Sequence, residues 1–252
     1  MNLTANIKIV DLSLYLVKEK ILIISDIHLG YEESLIHQGY LIPRHQYKDT
    51  IERLNNILRK TRPKTVIING DLKHQFGSIL SKEYNDSIRL LESLKKNYKV
   101  ILIKGNHDKI LDIISERVSL KTQLFYNAGN TYIFHGDFMP KDLFFKASKT
   151  IIIGHNHPAI TMEKNKRLEK YKCFLKGKYK SKSLIIMPSF NTMTTGADII
   201  KEKLQTPLIN SIKEFNIYIV EDKVYNFGKV KISFPYLEDI KIYYQDAGSN
   251  QD

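Results

Sequence analysis

The sequence predicts a single α/β domain from three observations: short apolar runs that stop at polar clusters, helical periodicities between those runs, and a length that suits one buried core. The chain has 252 residues, of which 42% are apolar and 26% charged, an ordinary globular balance. No internal repeat and no Pro/Gly/Ser-rich linker divides it. Residues 1–246 are therefore read as one domain and residues 247–252 as a loose tail.

Residues 7–17 alternate weakly and lead into Lys18-Glu19-Lys20, the pattern of a hairpin that feeds a first buried strand. That strand, Ile21-Leu22-Ile23-Ile24, runs into Ser25-Asp26-Ile27-His28. Tyr47, Ile51, Leu54 and Leu58 then recur at helical spacing, with Pro63 beyond the end. Val66-Ile67-Ile68 leads to Asn69-Gly70-Asp71-Leu72-Lys73-His74. A second helix carries Tyr84, Ile88, Leu91 and Leu94, with Ser81 as its expected N-cap. Val100-Ile101-Leu102-Ile103 leads to Lys104-Gly105-Asn106-His107-Asp108, and a shorter helix is expected over residues 108–118. Thr131-Tyr132-Ile133-Phe134 ends at His135-Gly136-Asp137, and Ile151-Ile152-Ile153 at Gly154-His155-Asn156-His157. Leu184-Ile185-Ile186-Met187 ends at Pro188-Ser189-Phe190-Asn191, and residues 216–220 and 223–227 flank Glu221-Asp222 as a last hairpin.

Short β-branched runs bounded by Gly or Asn read as strands buried on both faces. Ligand sites gather at the carboxyl ends of such strands, because the loops leaving there converge on one edge. Six of the eight histidines (His28, His74, His107, His135, His155 and His157) lie in those loops. His37 and His45 do not, and surface or helix-cap positions are expected for them.

Composition narrows the setting. One cysteine, Cys173, allows no intrachain disulfide and reads as a small core residue, so a reducing cytoplasm is the simplest location. The first residues lack the features of a signal peptide, and no apolar run approaches the ~20 residues of a membrane-spanning helix. A formal charge of +12, from 39 Lys+Arg against 27 Asp+Glu, favours an anionic partner, although a uniformly Lys-rich composition gives the same balance.

Asp26, His28, Asp71, Asn106, His135, His155 and His157 supply oxygen and imidazole ligands from five successive loops. That set suits two borderline divalent ions, with Mn²⁺ expected and Fe²⁺, Zn²⁺ or Ni²⁺ as alternatives. Two ions about 3.5–4 Å apart can bind a phosphoryl group, lower the pKa of a shared water and neutralise transition-state charge. Two histidines at i and i+2, His155 and His157, can reach one site only if the backbone turns, a turn that Gly154 would permit.

The order Asp-x-His, Gly-Asp, Gly-Asn-His-Asp, His, Gly-His-x-His resembles that of the calcineurin-like metallophosphoesterase superfamily over about residues 7–227. The resemblance implies a four-layer α/β/β/α sandwich, with two mixed sheets packed together and helices outside. It places Asp26, His28, Asp71 and His157 on a first metal, and Asp71, Asn106, His135 and His155 on a second. It makes His107 the catalytic residue that protonates the leaving oxygen or stabilises the transition state, Asp108 the group that orients it, and Asn106 a contact to substrate as well. The runs Asp26-Ile27-His28-Leu29-Gly30-Tyr31-Glu32, Gly70-Asp71-Leu72-Lys73-His74-Gln75-Phe76-Gly77 and Cys173-Phe174-Leu175-Lys176-Gly177 also resemble a prokaryotic subgroup. That subgroup includes DNA-ligase-associated phosphoesterases and stand-alone archaeal homologues. Its usual Glu is replaced by Asn156, which puts a contact behind the metal ligands in question. The Gly-Asp-x-x-His arrangement further resembles the double-strand-break-repair nucleases of the superfamily, which implies that His74 touches the substrate phosphate; a loop histidine capping a carbonyl is the alternative.

Residues 164–182 carry Lys164, Lys166, Arg167, Lys170, Lys172, Lys176, Lys178, Lys180 and Lys182, with Tyr171, Phe174 and Tyr179 interleaved. Such a segment suits a DNA or RNA backbone with stacked bases, and two strands with a solvated Lys face look the same. The expected function is hydrolysis of a phosphodiester in a nucleic acid or nucleotide. A phosphomonoesterase or small-molecule nucleotide phosphodiesterase is the alternative, and a non-catalytic scaffold of the same fold is a third reading.

Overall fold

A computed structural model describes residues 1–76, 80–164 and 166–230, with the backbone alone at Lys164. The expected boundary at residue 246 and the tail over 247–252 lie outside the described residues.

The opening hairpin forms as β1 (Ile7–Val10) and β2 (Ser13–Leu16), which feed β3 (Ile21–Ile24). β3 is buried at all four residues, as are the five of β4 (Thr65–Asn69). β5 (Lys99–Ile103) and a short β6 (Thr122–Gln123) complete a sheet in simple sequence order, β1 to β6. Its first two pairings are antiparallel and its last three parallel, so the carboxyl ends of β3, β4 and β5 lie along one edge.

The second sheet takes β7 (Phe125–Ala128), β8 (Thr131–Phe134), β9 (Thr150–Ile153) and β12 (Lys182–Ile186), with β8, β9 and β12 parallel. A long strand, β11 (Arg167–Tyr179), pairs with β10 (Pro158–Lys164) and β12, and also with β14 (Asn216–Val220). β13 (Ala197–Asp198) extends the β10 edge, and β15 (Val224–Lys229) pairs with β14 as the last expected hairpin.

Side-chain alternation packs the sheets together. Ile133, Ile152, Phe174 and Ile185 point into the core shared with the first sheet. Their neighbours Tyr132, Phe134, Ile151, Ile153, Cys173, Leu175, Leu184 and Ile186 form a separate core on the opposite face. α5 (Leu143–Ala147) and residues 199–215 cover that face, through Phe145, Ile199, Leu208, Ile212 and Phe215. α2 (Gln46–Thr61), α3 (Ser81–Lys95) and α4 (Leu111–Arg117) bring Leu54, Leu91 and Ile114 to the first core; a seven-residue α1 (Tyr31–His37) leaves the β3 loop. The result is the expected pair of mixed sheets between outer layers.

Two local expectations are corrected. The N-cap of α3 is Leu80 and not Ser81. Its amide is satisfied from inside the helix, by the Glu83 carboxylate at 3.2 Å. α4 begins at Leu111 instead of Asp108, because the Asp108 side chain is used in the preceding turn, where it accepts from the Gly105 amide at 3.0 Å.

Candidate metal centre

The strand-end loops are bonded to one another before any side chain is considered. Asp26 N donates to Gly70 O at 3.2 Å, His28 N to Asp71 O at 2.9 Å, and Gly70 N to Ile103 O at 3.0 Å. Gly154 N donates to His135 O at 2.8 Å in the second sheet. Phe190 N to Ser25 O at 2.7 Å and Asn69 Nδ2 to Phe134 O at 3.0 Å tie the two sheets together at this edge.

Within these loops Asp26, His28, Asp71, His155 and His157 all hold positive φ, between 44° and 65°. Such a conformation costs a non-glycine residue about 1–3 kcal/mol and gathers at functional sites. It also explains how residues two apart face one point. The turn expected of Gly154 is made by His155 and His157 themselves, at φ 65° and 44°. Gly154 serves proximity instead: a Cβ there would collide with the Ser25 hydroxyl and the Asp26 carboxylate.

The seven candidate ligands meet as two neighbouring groups. Asp26, His28 and His157 form one that could hold a metal ion, and Asp71, His135 and His155 the other. His28 Nε2 and His157 Nε2 are 3.3 Å apart, and His157 Nε2 is 3.2 Å from Asp26 Oδ1. His135 Nε2 lies 3.2 Å from His155 Nδ1 and 3.1 Å from Asn106 Oδ1. Asp71 stands between the groups. Its Oδ1 accepts from the His107 amide at 2.9 Å, while Oδ2 lies 3.7 Å from His28 Nε2 and 3.4 Å from His135 Nε2. Imidazole nitrogens facing each other beside carboxylate oxygens are the donor set of a divalent cation, so these residues fit the metal that their chemistry implies.

Protonation states agree with that. Burial pushes His28 down to about 3, so it is neutral at pH 7. Burial alone would raise the Asp26 carboxyl, but His157, His135 and His28 hold it well below the usual carboxylate range. His135 goes the other way. Burial favours its neutral form, yet Asp71 and Asp26 raise it to about 10, so its proton supplies positive charge to the two aspartates. A bound cation would take over that task and leave His135 as a neutral ligand.

His107 lies beside the metal residues without joining either of these groups; with His28 and His74 it makes a third set of nitrogens close enough to hold an ion. Its Nδ1 donates to the His74 carbonyl at 2.6 Å, and Phe76 packs on its ring with centroids 3.6 Å apart. The expectation that Asp108 orients this ring is corrected: Asp108 is buried and closes the Gly105 turn, and burial, followed by Asp71, pushes its carboxyl up to about 7. The wall of the cleft includes Tyr31, Phe76 and His107; His74 packs edge-on against Tyr31 and lies beside His28 and His107. Asn156 turns away from the ligands. Its Oδ1 accepts from Gln205 N at 2.7 Å and Thr206 N at 3.2 Å, so it anchors a segment that forms the far wall. His37 ends α1 and His45 precedes α2; both are exposed.

Two positioning residues escaped the sequence reading. Glu83, fully buried on α3, accepts from His74 N at 2.7 Å, Gln75 N at 2.9 Å and Leu80 N, and so fixes the loop that carries the His107 acceptor. Gln46 donates to the His28 carbonyl at 2.7 Å. The first is visible only as an interior helix Glu, the second only as a helix-start Gln.

The cleft over the centre has a volume of about 750 Å³, and Asp71, Asn106, His107, His155 and His157 form one side of it. The basic segment beside it does not present a continuous face. Lys176 donates to Leu3 O at 2.6 Å, Lys182 to Lys146 O at 2.7 Å, and Phe174 is in the core. Lys166, Arg167 and Lys170 are exposed at the tip half of the β10–β11 hairpin, as are Lys178 and Lys180 further along.

The family model of the calcineurin-like phosphoesterases matches residues 19–202, which include every candidate ligand. The chain belongs to this family. Among solved structures, the Pseudomonas putida nuclease MPE is similar with a TM-score of 0.60 and 18% identity, over 85% of this chain and 90% of that one. The E. coli phosphoesterase Yfce is similar with a TM-score of 0.38 and 13% identity, over 80% and 88%. No curated protein matches the sequence. Membership accounts for the two-sheet fold and for His and Asp groups able to hold divalent metal; no helix among the described residues is long and apolar enough to cross a membrane.

Proposed function

We propose that the protein is a dinuclear metal-dependent phosphodiesterase acting on nucleic acid or a nucleotide. The observation that carries this reading is Asp71, whose Oδ2 faces the imidazoles of both ligand groups on the floor of a broad cleft. Asp26, His28, Asp71 and His157 would hold one ion, and Asp71, Asn106, His135 and His155 the other, with Mn²⁺ as the proposed metal. Two such ions supply an acidified water and positive charge beside the phosphoryl oxygens.

The chain's own residues do the rest. Hydrolysis adds a water oxygen to phosphorus and breaks the ester P–O bond, and the leaving oxygen must gain a proton. With Nδ1 anchored on the His74 carbonyl, His107 keeps Nε2 for that transfer. Phe76 limits the movement of the His107 ring, Tyr31 packs on His74, and His74 supports His107 through its carbonyl. The exposed half of the β10–β11 hairpin supplies positive charge near the mouth for a polyanion.

Hydrolysis of bis-p-nitrophenyl phosphate, p-nitrophenyl phosphate and single-stranded DNA with Mn²⁺ tests the proposal. Cleavage of the diester and the DNA, with the monoester spared, is expected. Hydrolysis of the monoester alone would overturn it.

A further inference from the structure

Beyond the metal centre lies a second cleft, of about 240 Å³, lined in part by Arg53, Lys170, Lys172 and Thr192. Met193, Thr194 and Thr195 line both clefts, so the two adjoin across one short segment. That segment is held from both sides. Asn191 N donates to Asp26 O at 3.2 Å in the metal-centre loop, and Met193 N donates to Asn191 Oδ1 at 2.7 Å. From the other side Lys172 donates to Ser189 O at 2.7 Å, to Ser189 Oγ at 3.0 Å, and to Asn191 O.

The lining chemistry points to an anion. Arg53 and Lys170 contribute cationic side chains, and no carboxylate lines this cleft among the described residues. Asp11, Asp49 and Glu52 line a neighbouring recess that shares Arg53 and Thr192 with this cleft, and of the three Asp11 alone pairs with Arg53. Lys172 spends its ammonium hydrogens on the loop, and burial pushes it down to about 7, so it fixes the wall without reaching a ligand. Arg53 and Lys170 are different. Arg53 engages Asp11 through Nε at 3.2 Å, and its terminal nitrogens have no hydrogen-bond partner among the described residues. Lys170 is exposed and reaches only the Gly196 carbonyl, at 3.3 Å. A fork of free guanidinium donors and an ammonium form a donor set for phosphate oxygens.

We infer that this cleft binds a second phosphate of the substrate, next along the polynucleotide from the one at the metal centre, and so selects single-stranded polynucleotide over small esters. The inference rests on the phosphodiesterase reading and specifies its substrate class. A small diester fills only the first cleft and gains nothing from the second. A polynucleotide spans Met193–Thr195 and gains from both.

The test compares the intact protein with R53Q/K170A, each loaded with Mn²⁺. Binding of a fluorescent phosphorothioate oligothymidylate is measured by anisotropy across a salt series, beside turnover of bis-p-nitrophenyl phosphate. Loss of the subsite should raise the oligonucleotide Kd about tenfold and reduce the salt slope by about 0.7 for each phosphate no longer neutralised. Turnover of the small diester should stay within about twofold. R53K keeps the positive charge beside Asp11 and removes only the guanidinium fork; it should weaken binding in the same direction, so a folding defect in the double variant cannot mimic the result. An unchanged Kd and salt slope, or no oligonucleotide binding by the intact protein, would overturn the inference. Binding that weakens as expected in a protein that hydrolyses no ester would sink the phosphodiesterase reading and leave the cleft standing.

Discussion

His107 and Asp71 separate catalysis from metal binding more cleanly than any other pair in the site. His107 belongs to neither ligand group around Asp71, although it forms a third set of nitrogens with His28 and His74, and it is held by a backbone carbonyl. His107→Ala should therefore keep its metal, measured by elemental analysis, and lose about 10²–10⁴-fold in turnover of bis-p-nitrophenyl phosphate. Asp71→Ala removes the oxygen that faces both groups and should lose both metal and turnover. Loss of metal from the His107 variant would make that histidine a ligand. Gly154→Ala offers a milder probe, since its methyl would displace the Ser25 and Asp26 side chains. Reduced metal content in a folded protein is expected. The ligands themselves were legible in the sequence because metal binding requires particular side chains, and a short loop after a buried strand brings them together. The partners of His107 and Asn156 were not. One is oriented by a carbonyl and the other accepts from amides about fifty positions away, and backbone groups carry no side-chain signature.

At the scale of elements, α3 does more than cover the sheet. Glu83 satisfies three amides of the 74–80 stretch from inside the helix. Glu83→Ala should cost about 2–3 kcal/mol in chemical denaturation and lower turnover with metal retained, because the His74 carbonyl loses its fixed place. Unaltered turnover would show that His107 is positioned without this loop. α5 provides a pH test away from the centre. Its N-cap Asp142 accepts from Phe145 N at 2.9 Å and from the Tyr132 hydroxyl at 2.7 Å. Partial burial would raise the carboxyl, but the Tyr132 hydroxyl and the capping amides hold it below its ordinary 3.8. A depressed folded pKa stabilises above the unfolded value, and the gain is lost as pH falls through the folded one. Asp142→Ala should thus cost about 1 kcal/mol at neutral pH. The gap from the intact protein should close below pH 3.8. A gap that persists in acid would mean that the carboxylate is not its source. The helices were readable from their apolar spacing, but the α3 cap was not. Ser81 has the usual capping side chain, and Glu83, two positions on, takes the amides instead.

Across the whole molecule, the buried strands were the most legible feature, because a β-branched run with no polar face fits only a sheet covered on both sides. The order of the second sheet was not legible. β11 pairs with β10, β12 and β14, partners that local spacing does not rank. That long strand also redistributes the basic segment, so Cys173, Phe174 and Leu175 enter the two cores while Lys166, Arg167 and Lys170 stay outside. What unites the sheets at the functional edge is that each ligand group draws on both, Asp26 and His28 from the first sheet with His157 from the second, and Asp71 from the first with His135 and His155 from the second. Equilibrium dialysis against Mn²⁺, followed by electron paramagnetic resonance, tests that meeting most directly. Two ions per chain with an exchange-coupled spectrum are predicted, and one isolated ion, or none, would contradict a shared dinuclear centre.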